Sequence, residues 1–259
     1  MKIYQQSPEL KIVFQQQVDR KVRDRRQTTY DALGGGILGD FGTMISDFQQ
    51  LGNQIKGTMG EGLISMLLKA LPDTWAMFNN ALIPTASGKL TEIDHLIIGP
   101  GGIFLIEVKT WKGSYSAYKD KWKRRDRHRW LPISDSPTAQ SVYHQKSFNR
   151  WLSQQLPSFS PAQDLISAPV VFPIAKWIGT TDCSVPVLTN AMELVQVIAN
   201  ASPCLNSQQV EEIIDKVRNC SAIATSKPTP KPVKTITIQS TSTPKPIKKT
   251  TPKPKKRID

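Results

Sequence analysis

Asp94, Glu107 and Lys109 are the residues of this chain whose types and spacing suit chemistry as a group. They lie in LTEIDHLIIGPGGIFLIEVKT, residues 90–110, where two apolar runs of strand length flank Gly99-Pro100-Gly101-Gly102, a strong hairpin signal. With those residues as the turn, Ile98 pairs with Ile103, Asp94 stands opposite Glu107, and Glu92 stands opposite Lys109. Directly opposed residues of an antiparallel pair hold their Cβ atoms roughly 4.5–5.5 Å apart. Carboxylates that close repel unless a cation lies between them, and hard oxygen donors call for a divalent ion. Alternation along the strand puts Glu107 and Lys109 on one face with Val108 turned away. Leu96, Ile98, Ile103 and Leu105 share the face of the acids, so the carboxylates emerge from apolar surroundings, a costly placement without a partner. Paired acids beside an ammonium suit metal-assisted attack on a phosphodiester. The competing explanation is an ordinary Glu92–Lys109 ion pair with Asp94 solvated near a strand end, and the apolar surroundings weigh against it.

The hairpin needs elements to hold it. A helix is expected from about Thr58 to Ala70, with Leu63, Ile64, Leu67, Leu68 and Leu71 as its core face, Pro72 closing it, and Glu61 in its first turn, where the helix dipole favours a carboxylate. Trp75–Ile83 reads as a strand and residues 84–88 as its turn; Gly113–Trp122 reads as a strand with its turn at Lys119-Asp120. Ser136 as N-cap and Pro137 at the first helical position start a helix that runs to about Leu156, offering Val142, Phe148, Trp151 and Leu152 to the core. Gln140 sits in its first turn, near the end that could face the hairpin. Leu165–Phe172 and Val185–Leu188 read as strands, and Asn190–Ala199 and Asn206–Asn219 as helices with box residues Glu193 and Gln209. Upstream, residues 8–31 are expected to form a helix with Leu10, Phe14, Val18 and Val22 at i+4 spacing, ended by Gly34-Gly35-Gly36; its narrow stripe fits docking on the domain, pairing with a partner chain, or a solvated helix. A second short helix is expected around Met44–Ile55. The order of elements gives an α/β layer with a mixed sheet.

Composition separates one substantial domain from a polar tail. The chain has 259 residues, 39% of them hydrophobic, and a net charge of +13. The segment Thr225–Asp259 carries +9 of this, leaving +4 for everything before it. After Ala222 the sequence becomes Lys/Pro/Thr/Ser repeats with seven prolines and no core, a disordered basic tail. Its lysines suit nucleic acid, acidic proteins or anionic surfaces, electrostatics does not choose among them, and a plain solubilising or tethering tail fits the composition equally well. Cys183, Cys204 and Cys220 are widely spaced and odd in number, which fits a reducing compartment and gives no zinc pattern. No signal peptide is expected, and the longest weakly apolar run, Ala32–Ile45, is too short to span a bilayer, so the expectation is a soluble cytoplasmic protein without a transmembrane segment. Gly34–Gly42 lacks the lysine-serine pair of a phosphate loop.

Residues 119–130, KDKWKRRDRHRW, hold seven Lys/Arg and two tryptophans. They read either as a phosphate-binding loop with stacking aromatics beside the hairpin or as a solvated hairpin whose Trp122 packs on the domain. The candidate nucleic-acid contacts are Lys112, Lys121, Lys123, Arg124, Arg125 and Arg127. His95 points to the face opposite Asp94 and reads as a hydrogen-bonded core histidine; His128 and His144 lack ligand spacing.

Gly60-Glu61, Thr91-Glu92-Ile93-Asp94-His95, Ile106-Glu107-Val108-Lys109-Thr110-Trp111-Lys112-Gly113 and Ser136-Pro137-x-x-Gln140 together resemble the nuclease-related domain, NERD, of the PD-(D/E)XK superfamily. The resemblance covers about residues 57–200. It implies a restriction-endonuclease-like fold, a mixed sheet flanked by helices, here with an N-terminal helix and a disordered basic C-terminal tail. The division it suggests is 1–56 as a helical extension, 57–222 as the NERD-like domain and 223–259 as the tail. Asp94 and Glu107 match the family's metal-binding acids, Lys109 the lysine that orients water and supports the phosphate, Glu61 the acid of the first helix, and Gln140 the glutamine of the later one. Mg²⁺ or Mn²⁺ is the implied ion, one or two per site, with the carbonyl of Val108 as a further ligand. Where the family shows Asn-Pro this chain has Ser136-Pro137, and serine caps a helix as well. The expected activity is metal-dependent hydrolysis of phosphodiester bonds in DNA or RNA; the alternative is a catalytically weak or inactive nucleic-acid-binding or adaptor module on the same fold.

Overall fold

A computed structural model describes residues 1–32, 62–157 and 165–221, without the side chains of 25–32. Glu61, the expected helix at Met44–Ile55, the Gly34–Gly42 stretch and the basic tail lie outside the described residues. Contacts divide the chain into Met1–Ala224 and Thr225–Asp259, and the fold described is that of the first unit.

In chain order the elements are β1 (Lys2–Tyr4), α1 (Pro8–Ala32), α2 (62–68), β2 (Ala76–Pro84), β3 (Leu90–Gly99), β4 (Gly102–Val108), β5 (Ser114–Tyr118), β6 (Lys121–Asp126) and β7 (Arg129–Pro132). They continue with α3 (Pro137–Gln155), β8 (Ile166–Ser167), β9 (Val170–Val171), β10 (Trp177–Thr181), β11 (Val187–Leu188), α4 (Ala191–Ala199) and α5 (Ser207–Arg218). The main sheet runs β1-β2-β3-β4-β9-β11, with β8 also against β4, and mixes antiparallel pairs (β2–β3, β3–β4) with parallel ones. A second sheet, β10-β5-β6-β7, is antiparallel except for β10–β5. This is the mixed α/β architecture with helices on the sheet that the sequence predicts. Among the described residues no helix is long and apolar enough to cross a membrane.

Alternation of side chains lets the main sheet bury both faces. On one face Leu96, Ile98, Ile103 and Leu105 meet Phe148, Trp151 and Leu152 of α3, Val210, Ile213 and Val217 of α5, and Leu10 of α1. On the other, Met77, Ile97, Phe104 and Ile106 meet Ile64 and Leu68 of α2 and Leu194 and Ile198 of α4. Each fully buried Leu, Ile or Phe contributes roughly 1.5–3 kcal/mol, so β3 and β4 are the most firmly held strands. The helix ends match their sequence signals: Ser136 Oγ accepts from the amide of Ala139, and Asn206 with Gln209 forms a capping box.

The α1 stripe turns inward, with Leu10 buried and Phe14, Val18 and Val22 half-buried. Two glutamines fix it: Gln6, just before α1, donates to the Leu82 carbonyl (3.0 Å) and accepts from the Leu82 amide (2.7 Å), and Gln17 does the same at Leu90. Of the roles left open for this helix, docking on the domain is the one observed.

Several expectations need correction. Leu63, assigned to the core face of α2, is 40% exposed, and the buried positions are Ile64, Leu68 and Leu71. The expected strand Leu165–Phe172 is broken into β8 and β9 at Ala168-Pro169, where proline has no amide to donate to a ladder. Strands β1, β7 and β10 carry no expected counterpart: KIY is too short for periodicity, RWLP is charged and ends in proline, and WIGTT contains glycine. Their pairing comes from neighbours already in place.

Candidate active site

The β3–β4 hairpin forms in the expected register, from Gly99↔Gly102 through Ile98↔Ile103 to His95↔Ile106, around the turn Pro100-Gly101. Glycine is required at its base: a Cβ on Gly99 would lie 2.2 Å from the Trp75 ring, and Gly102 has φ +115°.

The ladder then ends, and that ending makes the site. Asp94 and Glu107 are not a backbone pair; the amide of Val108 donates to Asp94 Oδ2 (2.7 Å), so a carboxylate takes the place of a strand carbonyl. Beyond it β4 turns to β9: the amides of Glu107 and Lys109 donate to the carbonyls of Pro169 (3.1 Å) and Val171 (2.9 Å). Glu92 falls into register with Leu82 on β2, and the expected Glu92–Lys109 rung lies beyond the β3–β4 ladder. The ammonium of Lys109 reaches Glu107 Oε1 (2.5 Å) and donates to Gln140 Oε1 (3.0 Å).

Glu107 is only 3% exposed. A buried carboxylate is tolerated only when polar groups surround it, and α3 supplies one that the sequence reading missed. His144 Nδ1 lies 3.5 Å from Glu107 Oε2. Burial, and secondarily the charge of Lys109, lowers the His144 pKa to about 4, so the imidazole is neutral near pH 7 and the contact is polar rather than an ion pair. The available signal was spacing: His144 follows Gln140 by four residues, one turn along the same helix face. The Ser136 cap sets where α3 begins and therefore where both side chains point.

The hairpin, β9 and α3 thus bring Asp94, Glu107, Val108, Lys109, Gln140 and His144 together. The donor set fits a hard cation on one observation: a carboxylate of β3 is bonded to the strand segment that carries the carboxylate of β4. The carbonyl of Val108 faces the same side as its amide, because the amide and carbonyl of one extended residue face the same neighbouring strand. Carboxylate oxygens are hard donors of the kind that Mg²⁺ and Mn²⁺ take. Among the described residues no group of three or more His, Cys, Asp and Glu side chains is placed to hold an ion.

His95 is buried, with Nδ1 2.7 Å from Asn79 Oδ1, the core histidine expected. The basic candidates divide. Lys121, Lys123 and Arg125 alternate along β6 on its outward face, Arg124 lies on the other face, Arg127 is in the β6–β7 turn with φ +51°, and Lys112 lies between β4 and β5. Trp122 is buried and donates from Nε1 to Thr138 Oγ1 (3.1 Å), whereas Trp130 is 38% exposed.

A family model described as the nuclease-related domain, NERD, matches residues 56–173, a match consistent with membership of the PD-(D/E)XK superfamily. The chain is 31% identical over 109 residues to an uncharacterized protein of Bacillus anthracis, covering 41% of this chain and 51% of that protein. It is 32% identical over 50 residues to a probable kinase, PglW, of Streptomyces coelicolor, covering 19% of this chain and 3% of that one. The chain therefore spans about half the length of one curated relative and a small part of the other. No solved structure matches.

Proposed function

We propose that this chain, whose residues 56–173 match the family model of the nuclease-related domain, is a metal-dependent nuclease hydrolysing phosphodiester bonds in DNA or RNA at the Asp94–Glu107–Lys109 corner. The observation that carries this reading is the Val108 amide bound to Asp94 Oδ2, which fixes one acid against the strand bearing the other acid and the lysine. Asp94, Glu107 and the Val108 carbonyl would hold Mg²⁺ or Mn²⁺; Glu61 belongs to the same proposal by family likeness. When bound, the ion supplies charge neutralisation at the phosphate and a lowered pKa for water.

The chain's own residues do the rest. Lys109, 20% exposed at its side chain, presents its ammonium at the mouth of the site, where it stabilises charge developing on the phosphate oxygens and orients the attacking water. Gln140 is a positioning residue that holds that ammonium from the first turn of α3. His144 stays neutral and steadies Glu107 without adding a positive charge to compete with the cation. Lys112, Lys121, Lys123, Arg124, Arg125 and Arg127 supply the electrostatic surface for the polyanion.

A second reading, a binding module with little turnover, draws on the 2.5 Å contact of Lys109 with Glu107, which occupies the lysine and one acid with each other. Incubation of the full chain with single- and double-stranded DNA and RNA in Mg²⁺ or Mn²⁺, beside Asp94→Ala and Lys109→Ala, separates the two. The nuclease reading expects cleavage that falls by roughly a hundredfold or more in each variant. Cleavage equal in wild type and both variants contradicts it. Binding without cleavage by wild type supports the module.

A further inference from the structure

The outward face of the small sheet has a composition that packing does not explain. The inward face carries Tyr115, Ala117 and Trp122, exposed by 7%, 6% and 2%. On the outward face the register sets Gly179, Ser116, Lys123 and Pro132 in one row and Thr181, Tyr118 and Lys121 in the next; Trp177 opposite Ser114 and Arg125 opposite Trp130 complete it. None of these strand positions is acidic.

Trp130 and Trp177 are on strands at opposite edges of the sheet, yet their ring centroids are 5.9 Å apart. Small residues between them permit this. A Cβ on Gly179 would lie 2.2 Å from the Trp177 ring, so that indole lies down across the sheet over a residue with no side chain. Trp177 nevertheless remains 50% exposed and Trp130 38%. Arg125 stands 5.8 Å from the Trp130 ring, and Lys119 lies 5.2 Å over Tyr118, itself 55% exposed. Lys121, Lys123 and Arg125 recur every second residue, roughly 6.6 Å apart along β6, as a row of cations leading to the indoles.

Resting on the nucleic-acid reading above, we infer that this face binds single-stranded nucleic acid, with unpaired bases stacked on Trp130 and Trp177 and phosphates on Lys121, Lys123 and Arg125. Exposed rings accept the faces of bases, which a duplex keeps within its own stack, and the cation row matches a polyanion rather than a neutral apolar partner. Lys109, at the acids, and Ser114, at the start of this sheet, are separated by at most roughly 18 Å of extended chain.

The test is fluorescence anisotropy with the full chain in EDTA, using labelled oligothymidylate and oligouridylate of about 20 nucleotides and a duplex of the same length. Trp130→Ala/Trp177→Ala should weaken single-strand binding roughly tenfold or more, leave the salt slope unchanged, and change duplex binding little. Trp130→Phe/Trp177→Phe should restore most of the affinity. Lys121→Gln/Lys123→Gln should lower the single-strand salt slope by about 1.4. Unchanged single-strand affinity in the Trp→Ala pair overturns the inference, as does wild-type preference for the duplex or equal competition by polyglutamate. If wild type cleaves while the tryptophans prove irrelevant, the stacking inference alone fails. If single strands bind through the tryptophans yet are not cleaved in Mg²⁺, the nuclease reading alone fails.

Discussion

Glu107 is 3% exposed and Trp177 is 50% exposed, and the two stand for regions built under opposite constraints. At the carboxylate corner, burial leaves each polar atom a narrow choice of partner: Asp94 takes the Val108 amide, Lys109 spans Glu107 and Gln140, and His144 backs the second oxygen of Glu107. On the outward face of the small sheet, strand register decides which side chains share a surface, and few contacts restrain them. The first region is costly to disturb and its groups act as a unit. The second tolerates substitution, so its sequence is free to follow a ligand.

That contrast can be broken by substitution. Phe148, fully buried on the helix that carries Gln140 and His144, should cost about 3–5 kcal/mol when changed to Ala, measured by urea unfolding. Glu107→Gln preserves side-chain shape and should reduce cleavage about a hundredfold, near 2.7 kcal/mol in the barrier, while the fold stays intact by circular dichroism. Smaller still is the effect of acid. His144 has a folded pKa of about 4 against an ordinary 6.5, so within that window the unfolded chain binds a proton that the folded chain refuses. Stability in EDTA should therefore fall as pH falls from about 6.5 toward 4, by roughly 1–3 kcal/mol more in wild type than in His144→Gln. Last comes Trp130→Ala, expected within about 0.5 kcal/mol of wild type. A large loss there would show the small sheet to be core, and would erase the distinction.

The same contrast explains what could be read from residues alone. The turn at residues 99–102 and the strong apolar runs on either side fix the hairpin register, and the Ser136-Pro137 signal places α3 and hence Gln140. His144 escaped because its role depends on α3 crossing β4, a tertiary fact that helix spacing only hints at. The end of the ladder at His95↔Ile106 escaped because the Val108 amide there turns to the Asp94 carboxylate instead of a β3 carbonyl, a side-chain contact that register alone does not give. Strands β7 and β10 escaped for a different reason: their sequences are polar or glycine-containing, and the Trp130–Trp177 contact exists only once a second sheet sets both on one face.

The central claim is that Asp94 and Glu107 form a site for a divalent cation, and Mn²⁺ binding followed by electron paramagnetic resonance tests it most directly. Wild type should take up one or two ions, and Asp94→Asn and Glu107→Gln should each abolish that uptake. Equal Mn²⁺ binding in wild type and both variants, or none in wild type, would contradict the account.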